Sequence, residues 1–568
     1  MRTLFRILKR IFYALLCFLV IFLIYFIIVV RVPEPNIADK SALNNTREKI
    51  SDTFFKTKNG WLKKNRAVKS SGNLWELYVE GNGFERGVAN GILTKELHEF
   101  QEDAFISQIQ ILVPNLNYLK FLKYFVAWFN RDLSSHIIDE YKEEIYGVSQ
   151  FASDKYDFIA SKYHRILNYH GAHDIGHALQ DKNLVVGCTS FSIWDKKSTD
   201  GKLLVGRNFD FYSGDDFAKN KIVQFTNPTN GFKFVTITWP GFLGACSGMN
   251  EKGITVTINA AKSDIPTNAA TPIALLAREI LQFAKNIDEA IKIAEKRSVF
   301  VSESILVGSS SDNKTVSIEK TPNKMDVYEV PNSDQIICPN HYQGKDFATE
   351  LTNLTNMNES SSIYRKFRLQ QLLDRYPTIS YLEAAAVLRN RFGINDKDLG
   401  FNNEKSLNQL IAHHAVIFKP ADGLMWVSVS PYQLGEFVCY DINKVFKNYQ
   451  NLTEDKKISS DSLNIPEDLF LKSKQYQEFL KFKYLKQYIQ FITKATNNIE
   501  LRTDFENDFV SSNPQSYITY EILGNYYLSR KNSAKAIEYF EKALSKEIAT
   551  LKEKRAIEEK LLYCKTSH

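Results

Sequence analysis

The most reactive grouping in the sequence is one cysteine with a cation and a carboxylate predicted beside it. Cys188 stands in the run Gly-Cys-Thr-Ser-Phe at 187–191, and an Asp-Gly turn separates this β-prone segment from Gly-Arg-Asn-Phe-Asp at 206–210. In a hairpin the second strand returns beside the first, so we expect Arg207 and Asp210 close to Cys188. A neighbouring cation favours the nucleophilic thiolate, and a carboxylate can orient a nearby amine. A lone cysteine on a strand is usually a small buried apolar residue, and that alternative stays open at this point.

Taken together, these runs resemble a known group of amide-bond enzymes. With Gly-x-x-x-Glu-Arg-Gly at 81–87, they look like the acyl-coenzyme A:6-aminopenicillanate acyltransferases of the N-terminal-nucleophile (Ntn) hydrolase superfamily. Choloylglycine hydrolases and acid ceramidases share the same opening strands. The resemblance runs from about Val79 to about Asp441. It implies an αββα sandwich and a precursor that cleaves its own bond between Gly187 and Cys188.

The implied cleavage would make Cys188 both nucleophile and base. Attack of its thiol on the carbonyl of Gly187, followed by hydrolysis, frees the α-amino group of Cys188. An α-amine has a reference pKa of about 7.7–8.0, which suits a general base near neutral pH. This amine would deprotonate the thiol, whose attack on an amide gives an acyl-enzyme that water or a second amine discharges.

The resemblance implies three further site residues. Asn259 follows Gly-Met-Asn-Glu-Lys-Gly-Ile at 248–254 and is similar to a choloylglycine hydrolase asparagine that helps form the oxyanion hole. Asn340 matches a second family asparagine, and Arg365 matches a family arginine near the nucleophile, with Arg368 as the competing assignment. An amide N–H aimed at an oxyanion is worth about 3–4 kcal/mol. A turn role for each asparagine and a solvated helix face for the arginine remain the alternatives.

The run His-Asp-Ile-Gly-His at 173–177 imitates a zinc-binding helix motif but departs from it. An aspartate replaces the glutamate of that motif, and the glycine weakens the helix on which the motif depends. No third ligand is evident, because the six cysteines are scattered without metal-binding spacing. We therefore expect no metal and no cofactor, and we interpret this run, His341 and the histidine pair at 413–414 as structural.

The N-terminus predicts a single-pass membrane anchor. A basic flank occupies 1–10, an uninterrupted apolar run occupies 11–30, and Arg31 ends it. About twenty apolar residues span a bilayer as a helix, whereas the apolar region of a secretory signal has about 7–15. A removed signal peptide is the alternative. The positive-inside rule places the N-terminus in the cytoplasm and the catalytic part outside it, in the periplasm or the extracellular space.

The rest of the chain divides into four parts by pattern. We predict a linker over 31–65, a helical segment over 66–187, a catalytic domain over 188–445 and a helical region over 446–568. In the third part, short β-prone runs joined by turns are interrupted by two helices, which is typical of an α+β domain with helix-covered sheets. Thr271 is the expected cap of the first of these helices.

Two helical stretches carry more specific expectations. The aromatic run at 118–129 predicts a helix that covers an acyl-chain pocket or lies in the lipid interface, and a plain buried helix is the alternative. Near the C-terminus, small and aromatic residues follow the spacing of a tetratricopeptide repeat, which lets two antiparallel helices approach closely. They are Leu523, Gly524, Tyr527, Ala536, Phe540 and Ala543. One repeat cannot bury its face alone, so we expect it to pack on neighbouring helices or on the catalytic domain.

Composition and motifs together leave an amide enzyme as the leading hypothesis. The net charge of +7 is spread along 568 residues, which argues against nucleic acid as a partner because phosphate binding needs clustered Lys and Arg. We predict a membrane-anchored, autoproteolytic cysteine hydrolase that cleaves the amide bond of a small N-acylated, amphiphilic substrate. Two alternatives stay open. One is an acyltransferase that moves an acyl group to an amine; the other is an inactive Ntn-like protein that binds a protein partner through its C-terminal helices.

Overall fold

The fold is a mixed α/β arrangement in which two β-sheets face each other. It is seen in a computed structural model that describes residues 2–37, 60–62, 65–70, 72, 74–113, 115–178, 186–211, 214–262, 269–411, 413–449, 458–495 and 499–566.

The strands of the described residues form one larger and one smaller sheet. In chain order they are β1 Gly60–Leu62, β2 Asn65–Lys69, β3 Trp75–Gly81, β4 Val186–Asp195, β5 Gly201–Phe211, β6 Ile222–Pro228, β7 Phe234–Thr238, β8 Ser247–Asn250, β9 Ile254–Ala260, β10 Glu303–Ser309, β11 Lys314–Lys320, β12 Met325–Tyr328, β13 Gln335–Cys338, β14 His414–Lys419, β15 Leu424–Ser428 and β16 Phe437–Asp441. The larger sheet has the order β1-β2-β3-β6-β7-β8-β9-β10-β11-β12, and the smaller has the order β13-β4-β5-β14-β15-β16. β3 and β6 pair in parallel.

Helices cover the outer faces of both sheets and form the two ends of the chain. In chain order they are α1 Arg2–Val29, α2 Gly83–Leu93, α3 Lys95–Leu112, α4 Leu116–Phe129, α5 Asp139–Ser149, α6 Lys162–Ala178, α7 Ile273–Phe283, α8 Ile287–Glu295, α9 Leu351–Glu359, α10 Ser362–Asp374, α11 Tyr381–Leu388, α12 Ile442–Asn448, α13 Lys474–Lys494, α14 Thr503–Ser512, α15 Tyr517–Ser529, α16 Ser533–Leu544 and α17 Leu551–Thr566.

Strand alternation explains the layers. Successive side chains of a strand point to opposite faces, so Val205 of β5 and Val235 of β7 meet between the sheets. On the outer face of the larger sheet, Ile258 packs in one cluster with residues of α7 and α8. On the outer face of the smaller sheet, Phe191 packs with residues of α10 and α11. The order of layers is therefore helix, sheet, sheet, helix.

The start of the segment predicted as helical, 66–187, is instead β-structure. β2 and β3 pair with each other, and β3 continues into the larger sheet beside β6. Because β3 lies between two strands and is mostly buried, its sequence lacks the alternation that marks a strand with one solvent face. Helical structure begins at α2, where Asn82 and Glu85 form a capping box.

The predicted cap at Thr271 is wrong. Pro272 is the residue that precedes α7, and no side chain caps this helix. The hydroxyl of Thr271 donates to the carbonyl oxygen of His136, 3.0 Å away, so it joins two parts of the chain.

A buried ionic cluster connects the helices before and after Cys188. Glu144 of α5 accepts from Arg86 of α2 and from Arg278 of α7, each at 2.6 Å, and all three side chains are buried. Gly87 allows the close approach of α2 to α5, because a side chain there would collide with the backbone of Glu144. Arg86 also pairs with Glu140 at 2.8 Å, so two carboxylates compensate two guanidinium groups, which is the condition for burying charged groups.

The N-terminal helix lies against the aromatic helix α4. By length and composition, residues Leu4–Val29 could cross a membrane, a test that a signal sequence near an N-terminus also passes. The ring of Phe26 in α1 stacks on Trp128 in α4 with the centroids 5.7 Å apart. α4 exposes Phe121 and Phe125, so the alternative of a plain buried helix is wrong.

The C-terminal helices form their own apolar cluster and also contact the part of the chain that contains the two sheets. α15 and α16 pack together, with Gly524 against the ring of Phe540. Lys397 and Lys405 both pair with Glu547 at 2.6 Å, which links the region around α10 to the segment between α16 and α17. The predicted packing on neighbouring helices is present, together with contacts to the two-sheet part of the chain, and the tetratricopeptide assignment stays a prediction.

Candidate active site

Strand alternation puts the two sides of the Gly187–Cys188 bond on opposite faces of the smaller sheet. The side chain of Cys188 points between the sheets and is buried there with Phe209, which lies opposite it in β5. Gly187 faces the outer helix layer and lies opposite Asp210 in the β4–β5 register. The predicted hairpin therefore exists, but it places the thiol and the carboxylate on different faces.

Arg207 lies on the same face as the thiol and is tightly held. Its Nη2 is 3.6 Å from Sγ of Cys188, and its Nη1 donates to the carbonyl of Cys246 at 2.6 Å. The guanidinium also donates to the hydroxyl of Ser247 and to the carbonyl of Ile258. These bonds fix a positive charge beside the sulfur.

Burial outweighs that charge at the sulfur. Removal from water raises the pKa of the Cys188 thiol, and Arg207 opposes the rise without cancelling it. In the uncleaved chain Cys188 is therefore a neutral thiol, so the expectation that Arg207 favours the thiolate holds only as a partial compensation.

Asp210 is buried on the outer face of the smaller sheet, where only one of its two carboxyl oxygens has a hydrogen-bond partner among the described residues. Its Oδ1 accepts from Nε2 of Gln433 at 3.0 Å, and its Oδ2 has no partner among the described residues. Burial raises the pKa of this carboxyl well above its usual range, although Arg365 and Arg207 both lower it. A new cation close to Asp210 would favour its ionised form.

Asn340 and Arg365 hold the nitrogen side of the Gly187–Cys188 bond. The backbone N–H of Cys188 donates to Oδ1 of Asn340 at 2.9 Å, and Nη2 of Arg365 donates to the same oxygen at 2.6 Å. Nδ2 of Asn340 donates to the carbonyl of Ala260 at 2.8 Å. Both side chains are buried, so a solvated helix face for Arg365 is wrong. Arg368 instead pairs with Asp396 at 2.6 Å, away from this bond.

Asn259 lies between the sheets, within β9 and not in a turn. Its Oδ1 accepts from the hydroxyl of Ser190 at 2.8 Å, and its Nδ2 donates to the carbonyl of Cys338 at 2.6 Å. Ser190 follows Cys188 on the same face of β4, so Asn259 is near the sulfur side of the site. One N–H of its amide remains beyond these bonds, since an amide nitrogen carries two hydrogens.

Three buried polar residues at the site were not predicted. Gln433 binds Asp210, Gln409 packs on Gly187, and His414 reaches Arg207 through the hydroxyl of Ser247, 2.9 Å from Nε2 of His414. Both glutamines come from irregular segments between helices and strands, where the sequence has no periodicity that would place them. The sequence predicts a structural role for the histidine pair at 413–414, and the contact with Ser247 connects His414 to Arg207.

An aromatic cleft belongs to the same apolar cluster as Cys188, although the cysteine is not part of its lining. Its aromatic residues are Phe105, Tyr169, Phe211, Phe217, Trp239 and Phe242, and His98, Gln101 and Glu102 add polar groups to its wall. The cleft encloses about 510 Å³ of empty space, part of it open to solvent. Phe209 connects it to the site, since its ring lies 4.4 Å below the guanidinium of Arg207 and 5.7 Å from the ring of Phe211. Segments on both sides of the Gly187–Cys188 bond contribute to its walls.

No group of three or more His, Cys, Asp or Glu side chains in the described ranges could hold a metal ion. The side chains of 173–177 lie outside the residues that the structure describes.

Comparison with known proteins agrees with the motifs. Residues 194–431 match the family model of acyl-coenzyme A:6-aminopenicillanic acid acyl-transferase. An uncharacterized protein of Archaeoglobus fulgidus is 24% identical over 334 residues, which cover 54% of this chain and 54% of that protein. Protein dcd1A of Dictyostelium discoideum is 24% identical over 244 residues, covering 39% of this chain and 52% of that protein. The chain thus spans about half the length of these curated relatives.

Two solved structures are also similar. An N-acylethanolamine-hydrolyzing acid amidase ortholog of Caenorhabditis elegans has 14% identity and a TM-score of 0.30, covering 41% of this chain and 93% of that chain. A mutant conjugated bile acid hydrolase of Clostridium perfringens has 14% identity and a TM-score of 0.31, covering 45% and 93%. The resemblance that the motifs predicted is confirmed.

Proposed function

We propose that this protein, similar over residues 194–431 to the acyl-coenzyme A:6-aminopenicillanic acid acyl-transferase family, is a self-cleaving cysteine amidase of the Ntn type. The observation that carries the proposal is the setting of the Gly187–Cys188 bond. The N–H of this bond donates to Asn340. The sulfur that would attack the carbonyl carbon of the same bond lies beside Arg207, on the face of β4 that points between the sheets. A structural cysteine needs neither arrangement.

The first reaction would be cleavage of the chain itself. The Sγ of Cys188 forms a bond to the carbonyl carbon of Gly187, the C–N bond breaks, and the thiol proton ends on the released amine. Water then adds to the thioester, the C–S bond breaks, and a carboxyl group on Gly187 and a free thiol on Cys188 remain. Arg207 would stabilise the sulfur as its negative charge develops.

After cleavage the α-amine of Cys188 would act as the base. Asn340 already accepts from this nitrogen, and Asp210 offers an unpartnered buried oxygen on the face where Gly187 lies. An amine held by these acceptors can take the thiol proton and return it to the leaving amine of a substrate. The remaining N–H groups of Asn259 and Asn340 are our candidates for the oxyanion hole.

The aromatic cleft supports an acyl group that is apolar. Aromatic side chains dominate its lining, so an apolar group would be well accommodated there. α1 and the exposed aromatic residues of α4 support a substrate that reaches the site from a membrane, as an amphiphilic amide would.

This proposal also assigns the parts of the chain. α1 would anchor the protein with its N-terminus in the cytoplasm, residues 66–187 would form the first chain after cleavage, and 188–445 would form the catalytic domain. The C-terminal helices would support that domain and offer a surface for a protein partner. Hydrolysis is favoured over transfer, because coenzyme A is scarce outside the cytoplasm.

Denaturing gel electrophoresis tests the proposal directly. The purified wild-type protein should give two fragments, with Cys188 as the first residue of the second, and Cys188→Ala should remain one chain. Cys439→Ala is the matched control, since Cys439 is also buried but lies in β16 outside the site. The cleaved enzyme should release the amine from an N-acyl amide. A wild-type protein that stays intact, or amidase activity that survives Cys188→Ala, would refute the proposal.

A further inference from the structure

Gln409 presents a buried, unsatisfied amide to Gly187. Its side chain is 1% exposed, and neither Nε2 nor Oε1 has a hydrogen-bond partner within the described part of the chain. A β-carbon added to Gly187 would lie 2.5 Å from Nε2 of Gln409, a distance that real contacts do not reach. The amide nitrogen of Gln409 therefore lies against Cα of Gly187, the carbon next to the carbonyl that the thiol would attack.

Such an amide is unusual for a structural residue. Buried side-chain polar atoms nearly always have a hydrogen-bond partner, because leaving one unpaired costs free energy. Other unpartnered polar atoms of the described residues lie around the same bond, namely Oδ2 of Asp210, Nε of Arg365 and Oε1 of Gln433. With Gln409, four of the side chains that carry an unpartnered buried polar atom thus adjoin this bond, although such atoms also occur elsewhere in the described residues.

The backbone around Gln409 is held in place from several sides. Its carbonyl accepts from Asn402 at 3.1 Å, and Leu410 adopts a positive φ of 58°, a strained conformation for a side chain of this kind. Leu410 packs against Phe470 and Phe479, which belong to the C-terminal part of the chain. The backbone of Gln409 is therefore fixed by the fold, and a group larger than the hydrogen of Gly187 could be accommodated only by rotation of the buried Gln409 side chain.

We infer that Gln409 determines specificity by requiring an unbranched carbon next to the reacting carbonyl. This inference rests on the proposed function. Gly187 satisfies this requirement in the precursor, because it has no β-carbon that would collide with the amide of Gln409. The thioester on Gly187 and the acyl-enzyme of a substrate are the same linkage on the same sulfur. The first carbon of a bound acyl group would therefore lie against Gln409 in the same way, so straight-chain and arylacetyl groups fit and α-branched groups do not.

Self-cleavage of four precursors made by cell-free synthesis tests whether Gln409 excludes a β-carbon at position 187. They are wild type, Gly187→Ala, Gln409→Ala and the double variant, each followed by denaturing gel. We expect Gly187→Ala to slow cleavage about tenfold or more, because an added methyl group overpacks the site. Gln409→Ala in the same chain should restore most of that rate. Gly187→Ala with Gln224→Ala is the matched control and should stay slow, since Gln224 is buried in β6 away from the site.

Substrate competition tests whether Gln409 excludes α-branched acyl groups, without any change at Gly187. The cleaved wild-type enzyme should prefer an unbranched N-acyl amide over its 2-methyl analogue about tenfold or more in kcat/KM, and Gln409→Ala should reduce that preference to near one. This ratio does not depend on how much enzyme is folded.

The outcomes separate the two proposals. If wild type is cleaved and Gly187→Ala is cleaved equally fast, or if the double variant is not rescued, the role of Gln409 is refuted and the proposed function stands. An unchanged preference in Gln409→Ala refutes it as well. If wild type is never cleaved, the proposed function fails and this inference fails with it.

Discussion

The sulfur of Cys188 lies 3.6 Å from Nη2 of Arg207, whose guanidinium is anchored by the backbone carbonyls of the facing sheet. This contact is the main influence that lowers the pKa of a thiol that burial raises. Ionisation of the nucleophile therefore depends on one fixed cation.

Removal of that cation should suppress the reactivity of the thiol. In Arg207→Gln the pKa of Cys188 should rise further, and alkylation by iodoacetamide at pH 8 should slow about tenfold, since one pKa unit changes the thiolate fraction tenfold. Arg207→Lys keeps the charge and should lose less. Mass spectrometry of the peptide that contains Cys188 measures the rate of labelling. Equal labelling of Cys188 in wild type and Arg207→Gln would contradict this role.

Asn340 should matter for reaction more than for stability. Asn340→Ala removes the acceptor of the Cys188 N–H and a candidate oxyanion donor, so cleavage and turnover should both fall about 10²-fold or more. Asn353→Ala is the control, because Asn353 is also buried but binds the backbone of Tyr342. It should lower the melting temperature and leave kcat close to wild type. Similar kcat losses in both variants would mean that Asn340 acts only through folding.

The buried pair of Glu144 and Arg278 should hold the two fragments together after cleavage. Glu144→Gln leaves Arg278 without its counter-charge, whereas Arg86 keeps Glu140 at 2.8 Å, and the association should weaken by about 3–5 kcal/mol. Size-exclusion chromatography of the cleaved protein in increasing urea reports the separation. Lys155→Ala breaks the exposed pair with Asp103 within one fragment and should leave the urea midpoint of separation unchanged. Identical urea midpoints for Glu144→Gln and wild type would exclude this role.

His170 should make the folded state sensitive to acid. Leu243 donates to its Nε2 at 3.0 Å, and its Nδ1 lies 2.8 Å from the carbonyl of Ile166, so the neutral ring is bound. Burial lowers the pKa of His170 to about 4, below the usual value of 6.5. Below pH 6.5 the unfolded chain binds the proton that the folded chain resists, so stability is lost as the pH falls.

A variant isolates this histidine from the other titrating groups. Between pH 7 and pH 5, the difference in unfolding free energy between wild type and His170→Asn should shrink by about 2 kcal/mol. Urea titrations at the two pH values measure it. A difference that stays constant would show that His170 does not titrate as described.

The hairpin at the site was predictable because its geometry is local. A short turn brings Arg207 and Asp210 back to Cys188, and the sequence contains both the turn and the strands. The faces on which these side chains lie were not predicted, although the parity of their positions in β4 and β5 determines them. Asn259, Asn340 and Arg365 came only from the resemblance to a family, since nothing local relates them to the cysteine.

The missed features depend on contacts between distant parts of the chain. β3 has no alternating pattern because both of its faces are covered, one by α2 and the other by the apolar cluster between the sheets. Gln409 occupies an irregular segment, and its position depends on Leu410 packing against Phe470 and Phe479 about 60 to 70 residues later. No pattern in the neighbourhood of Gln409 contains that information.

The pairing of β3 with β6 has a consequence for the lifetime of the protein. β3 belongs to the part of the chain before Gly187 and β6 to the part after it, so the precursor joins them while they are still tethered. In the cleaved form the same pairing could be regained only by the encounter of two separate molecules, and its stability would depend on their concentration. The lifetime of the cleaved protein would then be set by the rate at which its two fragments dissociate. Such a protein would assemble once, and damage that separates its halves would be permanent.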